Sequence, residues 1–192
     1  MKITLASTSK FKTKILNTVG LKHNTIDPNC EELSDRKDPY EYVKEIAELK
    51  AESIEHVDTD IILALDTIVL INDNIVGKPR TLEEAKENIR NSSGRTSKVI
   101  TGIAIINKKT NERYTDYQET KISFRKIAEE DINFYIEHEK DAMYASGFII
   151  ETYCSNFIRK IDGSFYNILG VPVEKIYEIL NKMIIYLKDI KL

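Results

Sequence analysis

Residues 60–71 read DIILALDTIVLI, apolar throughout except for Asp60 at the start and Asp66-Thr67 inside. A run of this length, rich in Ile, Leu and Val, predicts a strand covered on both faces, the kind found in α/β sheets. A carboxylate within such a strand is expensive unless it is paired, hydrogen-bonded or metal-bound. Asp66 is therefore the most informative residue of the chain. Its pattern fits a ligand for a hard divalent cation or a general base at a strand end. It also fits a strand-end acid that faces water or caps a turn.

The sequence on either side alternates helix and strand signals. Lys2–Ala6 predicts a strand. Ser9 caps a helix running to Val19, with Phe11, Ile15 and Val19 as its apolar stripe and Gly20 as the stop. Leu21–Asp27 predicts a short strand, and 29–37 a polar loop. Asp38-Pro39 opens a helix, Asp as N-cap and Pro in the first turn, with Tyr42, Val43, Ile46, Leu49 and Ile54 on its apolar face. Asn72-Asp73-Asn74 predicts a turn into Ile75-Val76. Thr81 with Glu84 forms a capping box for a helix to Asn91. Strands follow at Lys98–Asn107 and Arg113–Arg125, then a helix at Glu129–His138. Further strands are expected at Ala145–Glu151, Phe157–Ile161 and Phe165–Leu169. Pro172 begins a last helix through about Leu187, buried through Val173, Ile176, Ile179, Leu180 and Met183. The order implies an α/β or α+β chain with a mixed sheet.

Composition narrows the function. The chain has 192 residues, 28 Lys+Arg against 31 Asp+Glu, and a formal net charge of −3. That balance argues against coating nucleic acid or an anionic membrane. With 42% hydrophobic and 31% charged residues it is expected to form a folded core. No apolar run reaches the ~18 residues of a membrane span, and the start MKITLASTSK lacks a signal-peptide core. Cys30 and Cys154 form neither a CxxC motif nor a disulfide framework, so a reducing cytoplasm is the expected setting.

Other segments carry weaker chemical signals. Gly77-Lys78-Pro79, with Lys78 twelve residues after Asp66, supplies backbone access and a point charge for phosphate, or an ordinary turn. Leu5-Ala6-Ser7-Thr8-Ser9 runs from a strand into a helix start, where free N–H groups and Lys10, Lys12 and Lys14 suit an anion, or form an ordinary capped helix with solvated lysines. Glu31-Glu32 in a polar loop fits a metal ligand or a solvated pair. The histidines show no zinc spacing, and no signature of acyl transfer is present.

In combination and in order, these pieces resemble the Maf family of nucleoside triphosphate pyrophosphatases. The family's opening L-A-S-x-S-P-R-R corresponds to Leu5-Ala6-Ser7-Thr8-Ser9-Lys10-Phe11-Lys12. A loop Glu corresponds to Glu32, and a helical Lys-Ala to Lys50-Ala51. The A-D-T-[IV]-V and G-K-P motifs correspond to Leu65-Asp66-Thr67-Ile68-Val69 and Gly77-Lys78-Pro79. L-S-G and V-x-T-G correspond to Ser92-Ser93-Gly94 and Val99-Ile100-Thr101-Gly102. The closing G-[SD]-[YF]-x-N-[VI]-x-G-L-P corresponds to 163–172, ending Gly170-Val171-Pro172.

The resemblance implies one domain over 1–192, an α/β fold of two lobes with a mixed sheet, flanking helices and a central cleft, similar to the inosine triphosphate pyrophosphatases. It implies hydrolysis of a pyrimidine or modified nucleoside triphosphate to the monophosphate and pyrophosphate, with a divalent cation, Mg²⁺ or Mn²⁺. The closing block is closer to the dTTP/UTP branch than to the 7-methyl-GTP branch. By resemblance Asp66 accepts the proton and shares the metal with Glu32. Lys50, Lys78 and Lys12 hold phosphates, and Ser7 and Ser9 complete the cradle. Thr67 lies near the nucleotide, and a homodimer is the expected assembly. Phe11 and Lys12 stand where the family has two arginines. Lys cannot reproduce bidentate phosphate binding and Phe carries no charge, and the stripe with Ile15 predicts Phe11 turned into the core. Glu151 replaces a Gln that reads the base, and an ionised Glu only accepts hydrogen bonds. Ile149 and Thr152 replace family glycines. These departures leave a second reading open: a non-catalytic nucleotide-binding homologue linked to cell-division control.

Overall fold

The computed structural model describes residues 1–144 and 146–183. Among them, seven strands form one mixed sheet: β1 (Ile3–Ala6), β2 (Asn24–Ile26), β3 (Ile61–Ile71), β4 (Asn74–Val76), β5 (Thr96–Asn107), β6 (Glu112–Phe124) and β7 (Ile158–Asp162). Their order is β2-β1-β3-β5-β6-β7, with β4 paired to β3. β1 runs parallel to β2 and β3, whereas β4 and β7 pair antiparallel with β3 and β6. The helices are α1 (Lys10–Thr18), α2 (Pro39–Ser53), α3 (Leu82–Ser92), α4 (Glu129–His138), α5 (Phe165–Ile168) and α6 (Val173–Lys182). The chain divides into two compact units. The first comprises Met1–Thr67, Ile100–Glu119 and the chain from Ser164 on; the second comprises Ile68–Val99 and Thr120–Gly163.

In the first unit the side-chain alternation of β3 sorts its residues between two cores. Ile61, Leu63 and Leu65 pack with Ile103 and Ile105 of β5, Leu16 of α1, and Ile176, Ile179 and Leu180 of α6. Ile62 and Ala64 face the other way, with Ala104 and Ile106, and meet Ala47 and Ala51 of α2 and Ile54 at its end. The α2 side is thus floored by small residues. Gly102 on β5 completes it: a Cβ there would lie 2.0 Å from the carbonyl oxygen of Val43. The helix backbone rests directly on the sheet at that point, and only glycine permits it.

The caps follow the sequence. Ser9 accepts the Lys12 N–H, Asp38 accepts those of Tyr40 and Glu41, and Thr81 accepts that of Glu84. The Glu84 carboxylate accepts the Arg80 N–H, one residue earlier than a capping box requires. In the second unit Asn72 and Asp73 take φ of 52° and 60°, closing the β3–β4 hairpin with two consecutive left-handed residues.

Three expectations need correction. The stretch 146–151 is bend and turn, not strand, and Ala145 lies outside the described residues. Gly147 sits at φ 97° against Ala85, the Ile149 N–H donates to the Tyr135 hydroxyl, and Thr152 closes back on the Ile149 carbonyl. Those bonds replace a ladder. Phe165–Ile168 is a single helical turn, α5, capped by Ser164 and ended by Gly170 at φ 77°. Phe11 is 53% exposed, and Leu16 is buried in its place. The inward stripe of α1 runs through Ile15, Leu16 and Val19, and Phe11 falls off it by about a quarter turn. The last helix begins as expected, but its reach past residue 183 lies outside the described residues.

The close approach of α2 predicts that Gly102→Ala costs about 3 kcal/mol or more, a fall of roughly 10 °C in melting temperature for a chain of this size. Gly77→Ala, where an added Cβ meets nothing within 4 Å, leaves the melting temperature unchanged. Thermal unfolding followed by circular dichroism checks both.

Candidate active site

Asp66 continues the row of Ile62 and Ala64 on β3, so alternation delivers its carboxylate to the α2 side. Lys50 lies on α2 next to Ala51, which packs on the same floor. Its ammonium donates to Asp66 Oδ1 at 2.7 Å and lies 2.9 Å from Glu32 Oε2. Lys50 and Asp66 are each only 8% exposed, while Glu32 reaches in from an exposed loop. Two carboxylates far apart in sequence thus converge on one nitrogen.

The electrostatics follow from this arrangement. Burial alone would push the Lys50 ammonium down, but the negative charges of Asp66 and Glu32 outweigh it and hold its pKa above the ordinary lysine value. Tyr42, two helical turns before Lys50 on the same face of α2, has its phenol pushed up by burial, then by the charges of Asp66 and Glu32. In the sequence it reads only as part of an apolar face. The i, i+4, i+8 spacing Tyr42, Ile46, Lys50 is the signal that associates it with this cluster.

The opposite face of β3 holds a second group. Thr67, the residue after Asp66, bonds through Oγ1 to Thr101 Oγ1 at 3.0 Å. Lys12 of α1 donates to the Leu65 carbonyl at 2.7 Å. Gly170 closes over both: a Cβ there would lie 3.1 Å from Thr67 Oγ1 and 3.5 Å from Lys12 Cε, and its φ of 77° suits glycine. Nearby in the chain, the Ser9 N–H donates to Ser7 Oγ at 3.1 Å, and Ser9 caps α1. Phe11 lies exposed on the same helix. The consecutive Thr101-Gly102 therefore serves both faces, Thr101 toward Thr67 and Gly102 beneath α2.

Lys78 and Glu151 belong to the second unit. Lys78 is exposed between Gly77 and the buried Pro79, and Glu151 is exposed in the turn before the 3-10 segment Tyr153–Phe157. Among the described residues, no three Asp, Glu, His or Cys side chains gather as a ready metal site. The two carboxylates at Lys50 still fit a Mg²⁺-type ion, which is commonly held by one or two carboxylates plus water and substrate phosphates.

Removing Lys50 would leave Asp66 buried without its counter-charge, so Lys50→Met is expected to cost about 3 kcal/mol. The pH dependence has a definite sign. A lysine whose folded pKa is raised stabilises the fold fully below its ordinary value of 10.5 and loses that contribution as pH climbs through the raised value. The stability advantage of the wild type over Lys50→Met should hold at neutral pH and shrink above that value. Denaturant titrations from neutral to alkaline pH measure it.

Comparison with known proteins places the chain in a family. The family model described as Maf-like protein matches residues 2–183. The chain is 34% identical over 184 residues to a dTTP/UTP pyrophosphatase of Thermoanaerobacter sp. (strain X514), covering 95% of this chain and 96% of that one. It is 35% identical to the dTTP/UTP pyrophosphatase of Caldanaerobacter subterraneus subsp. tengcongensis, covering 95% and 89%. Among solved structures, a HAM1 protein from Coxiella burnetii has a similar fold, with a TM-score of 0.52 over 95% of this chain and 99% of that one, at 14% identity. A match that runs from the first strand to the end of α6 is a match of the whole described chain, which belongs to the Maf-like protein family.

Proposed function

We propose that this chain hydrolyses a pyrimidine or modified nucleoside triphosphate between its α- and β-phosphates, giving the monophosphate and pyrophosphate and so clearing the nucleotide pool. The observation that carries the reading is the buried Asp66 carboxylate, set at the end of an apolar row and joined to Lys50 and Glu32. The relatives named dTTP/UTP pyrophosphatase support the reaction class. The family match spans both units, and we read them as one functional domain. The free thiols of Cys30 and Cys154 suit a reducing, cytoplasmic setting.

In this reading Asp66 takes the proton from the water that attacks the α-phosphorus. Glu32 and Asp66 would hold the divalent cation, whose chemistry is to neutralise charge developing on the phosphoryl oxygens. Lys50 donates from a site where it stays charged throughout the neutral range and is assigned to the phosphates. Lys12 and Lys78 are assigned the same task from their motif positions, with Ser7 and Ser9 as hydroxyl donors. Thr67, fixed by Thr101 and covered by Gly170, lines the nucleotide. Phe11, being exposed, presents a ring rather than a charge toward ligand. Its place in the substrate set is contact, not charge neutralisation.

Two experiments test this reading. Pyrophosphate release is measured with Mg²⁺ or Mn²⁺ over a panel of nucleoside triphosphates. Asp66→Asn should lower kcat by about a thousandfold, the scale of a lost general base. Unchanged turnover in that variant would sink the mechanism, and tight nucleotide binding without turnover in the wild type would make the chain a binder. Glu151, as an acceptor only, is proposed to favour a base edge that presents donors, such as the cytosine amino group. Glu151→Gln should move the kcat/KM ratio of UTP over CTP upward by about tenfold; an unmoved ratio removes Glu151 from base selection.

A further inference from the structure

We propose that Lys50 is the resident counter-ion of the two carboxylates assigned to the divalent cation, and that it keeps the cation out until the substrate's phosphates arrive. The proposal rests on the reading of Glu32 and Asp66 as cation ligands.

The geometry is specific. One ammonium nitrogen lies 2.7 Å from Asp66 Oδ1 and 2.9 Å from Glu32 Oε2. An ammonium has three donors, and two are committed to the oxygens a metal would need. The lysine stem is confined: Lys50 is 8% exposed, on a helix whose Ala47 and Ala51 press on the sheet. Its side chain is only 10% exposed, so the ammonium sits within the protein, against the two carboxylates. Two carboxylates and one ammonium leave a net charge of −1, half the attraction the carboxylates alone would offer. Among the described residues no third acid, His or Cys joins the pair to enlarge it. A strongly hydrated divalent ion gains little by displacing an ammonium from two ligands.

A triphosphate changes that balance. Its oxygens accept from Lys50 and also coordinate the cation, so each positive group gains a partner that the free protein lacks. Cation and nucleotide should then bind synergistically, and by reciprocity each should raise the affinity of the other by the same factor. In the nucleotide-free protein Lys50 is a place-holder. In the loaded protein it is a phosphate ligand.

The test uses Mn²⁺ as probe, with free ion counted by electron paramagnetic resonance, on nucleotide-free wild type, Lys50→Met and Lys50→Gln. Both variants should bind Mn²⁺ at least about tenfold more tightly than the wild type, and adding Asp66→Asn to either should remove the gain. A non-hydrolysable α,β-methylene nucleotide should raise wild-type Mn²⁺ affinity by a similar factor and raise that of the Lys50 variants less. Equal affinity in wild type and variants, with Asp66→Asn weakening both, would overturn the place-holder role while leaving the ligand assignment intact. Indifference of every protein to Asp66→Asn would overturn the ligand assignment, and this proposal with it. If neither Lys50 variant folds, the wild type decides alone: the same Mn²⁺ affinity with and without the nucleotide overturns the proposal.

Discussion

An ammonium group buried against a sheet requires negative charge beside it, and Lys50 obtains that charge from Asp66 and Glu32. The contact exists because α2 lies unusually close to the strands. Ala47 and Ala51 on the helix, Ala64 and Ala104 on the sheet, and the missing Cβ of Gly102 set that distance. A larger residue in this layer would lift the helix and stretch the pair. The packing of the smallest side chains thus determines the position of the most strongly charged ones. Apolar burial contributes most of the stability of such a layer, but in this layer its main effect is placement.

β3 also separates two tasks. Asp66 turns to α2, where charge is concentrated. Thr67 turns to the face of α1 and α6, where hydroxyl, lysine stem and glycine backbone meet. Adjacent residues of an extended chain point oppositely, so the charged cluster at Lys50 and the hydroxyl group of Thr67 with Thr101 are divided between the two faces of one strand. The Thr101-Gly102 pair on β5 repeats the division: one residue supports Thr67, the next admits α2.

Much of this was legible in the sequence. The apolar run 60–71 discloses β3, and the acid inside it discloses that a partner must lie beside it, because burial of an unpaired carboxylate is too costly; that partner is Lys50. Capping residues located α1, α2 and α3 within a residue or two. The differences share a cause: at these positions tertiary bonds override the local pattern. Residues 146–151 have strand-like composition, but the Tyr135 hydroxyl and the backbone of Ala85 bend them. Phe11 fits an apolar stripe by spacing, but the core of α1 turns on Leu16, one residue out of phase with Ile15. Tyr42 reads as core because the carboxylates beside it, Glu32 and Asp66, lie ten and twenty-four residues away in the chain and leave no local mark. Whether the missing arginines matter is likewise not a question of pattern, since Lys12 already spends a donor on the Leu65 carbonyl.

The alternation along β3 has a consequence for how chains of this kind can change length. Adding or deleting one residue between Ile61 and Asp66 would invert every side chain beyond the change. The carboxylate would enter the aliphatic core under α6, and Thr67 would face Lys50. Insertions of an odd number of residues are therefore confined to segments outside the strand, such as the polar loop 29–37 or the turn at 108–111, where no alternation has to be kept. The distance along the chain from Ile61 to Asp66 is fixed as firmly as any bond length, whereas the distance from Glu32 to Lys50 is free to drift so long as the loop can still bring its carboxylate to the nitrogen.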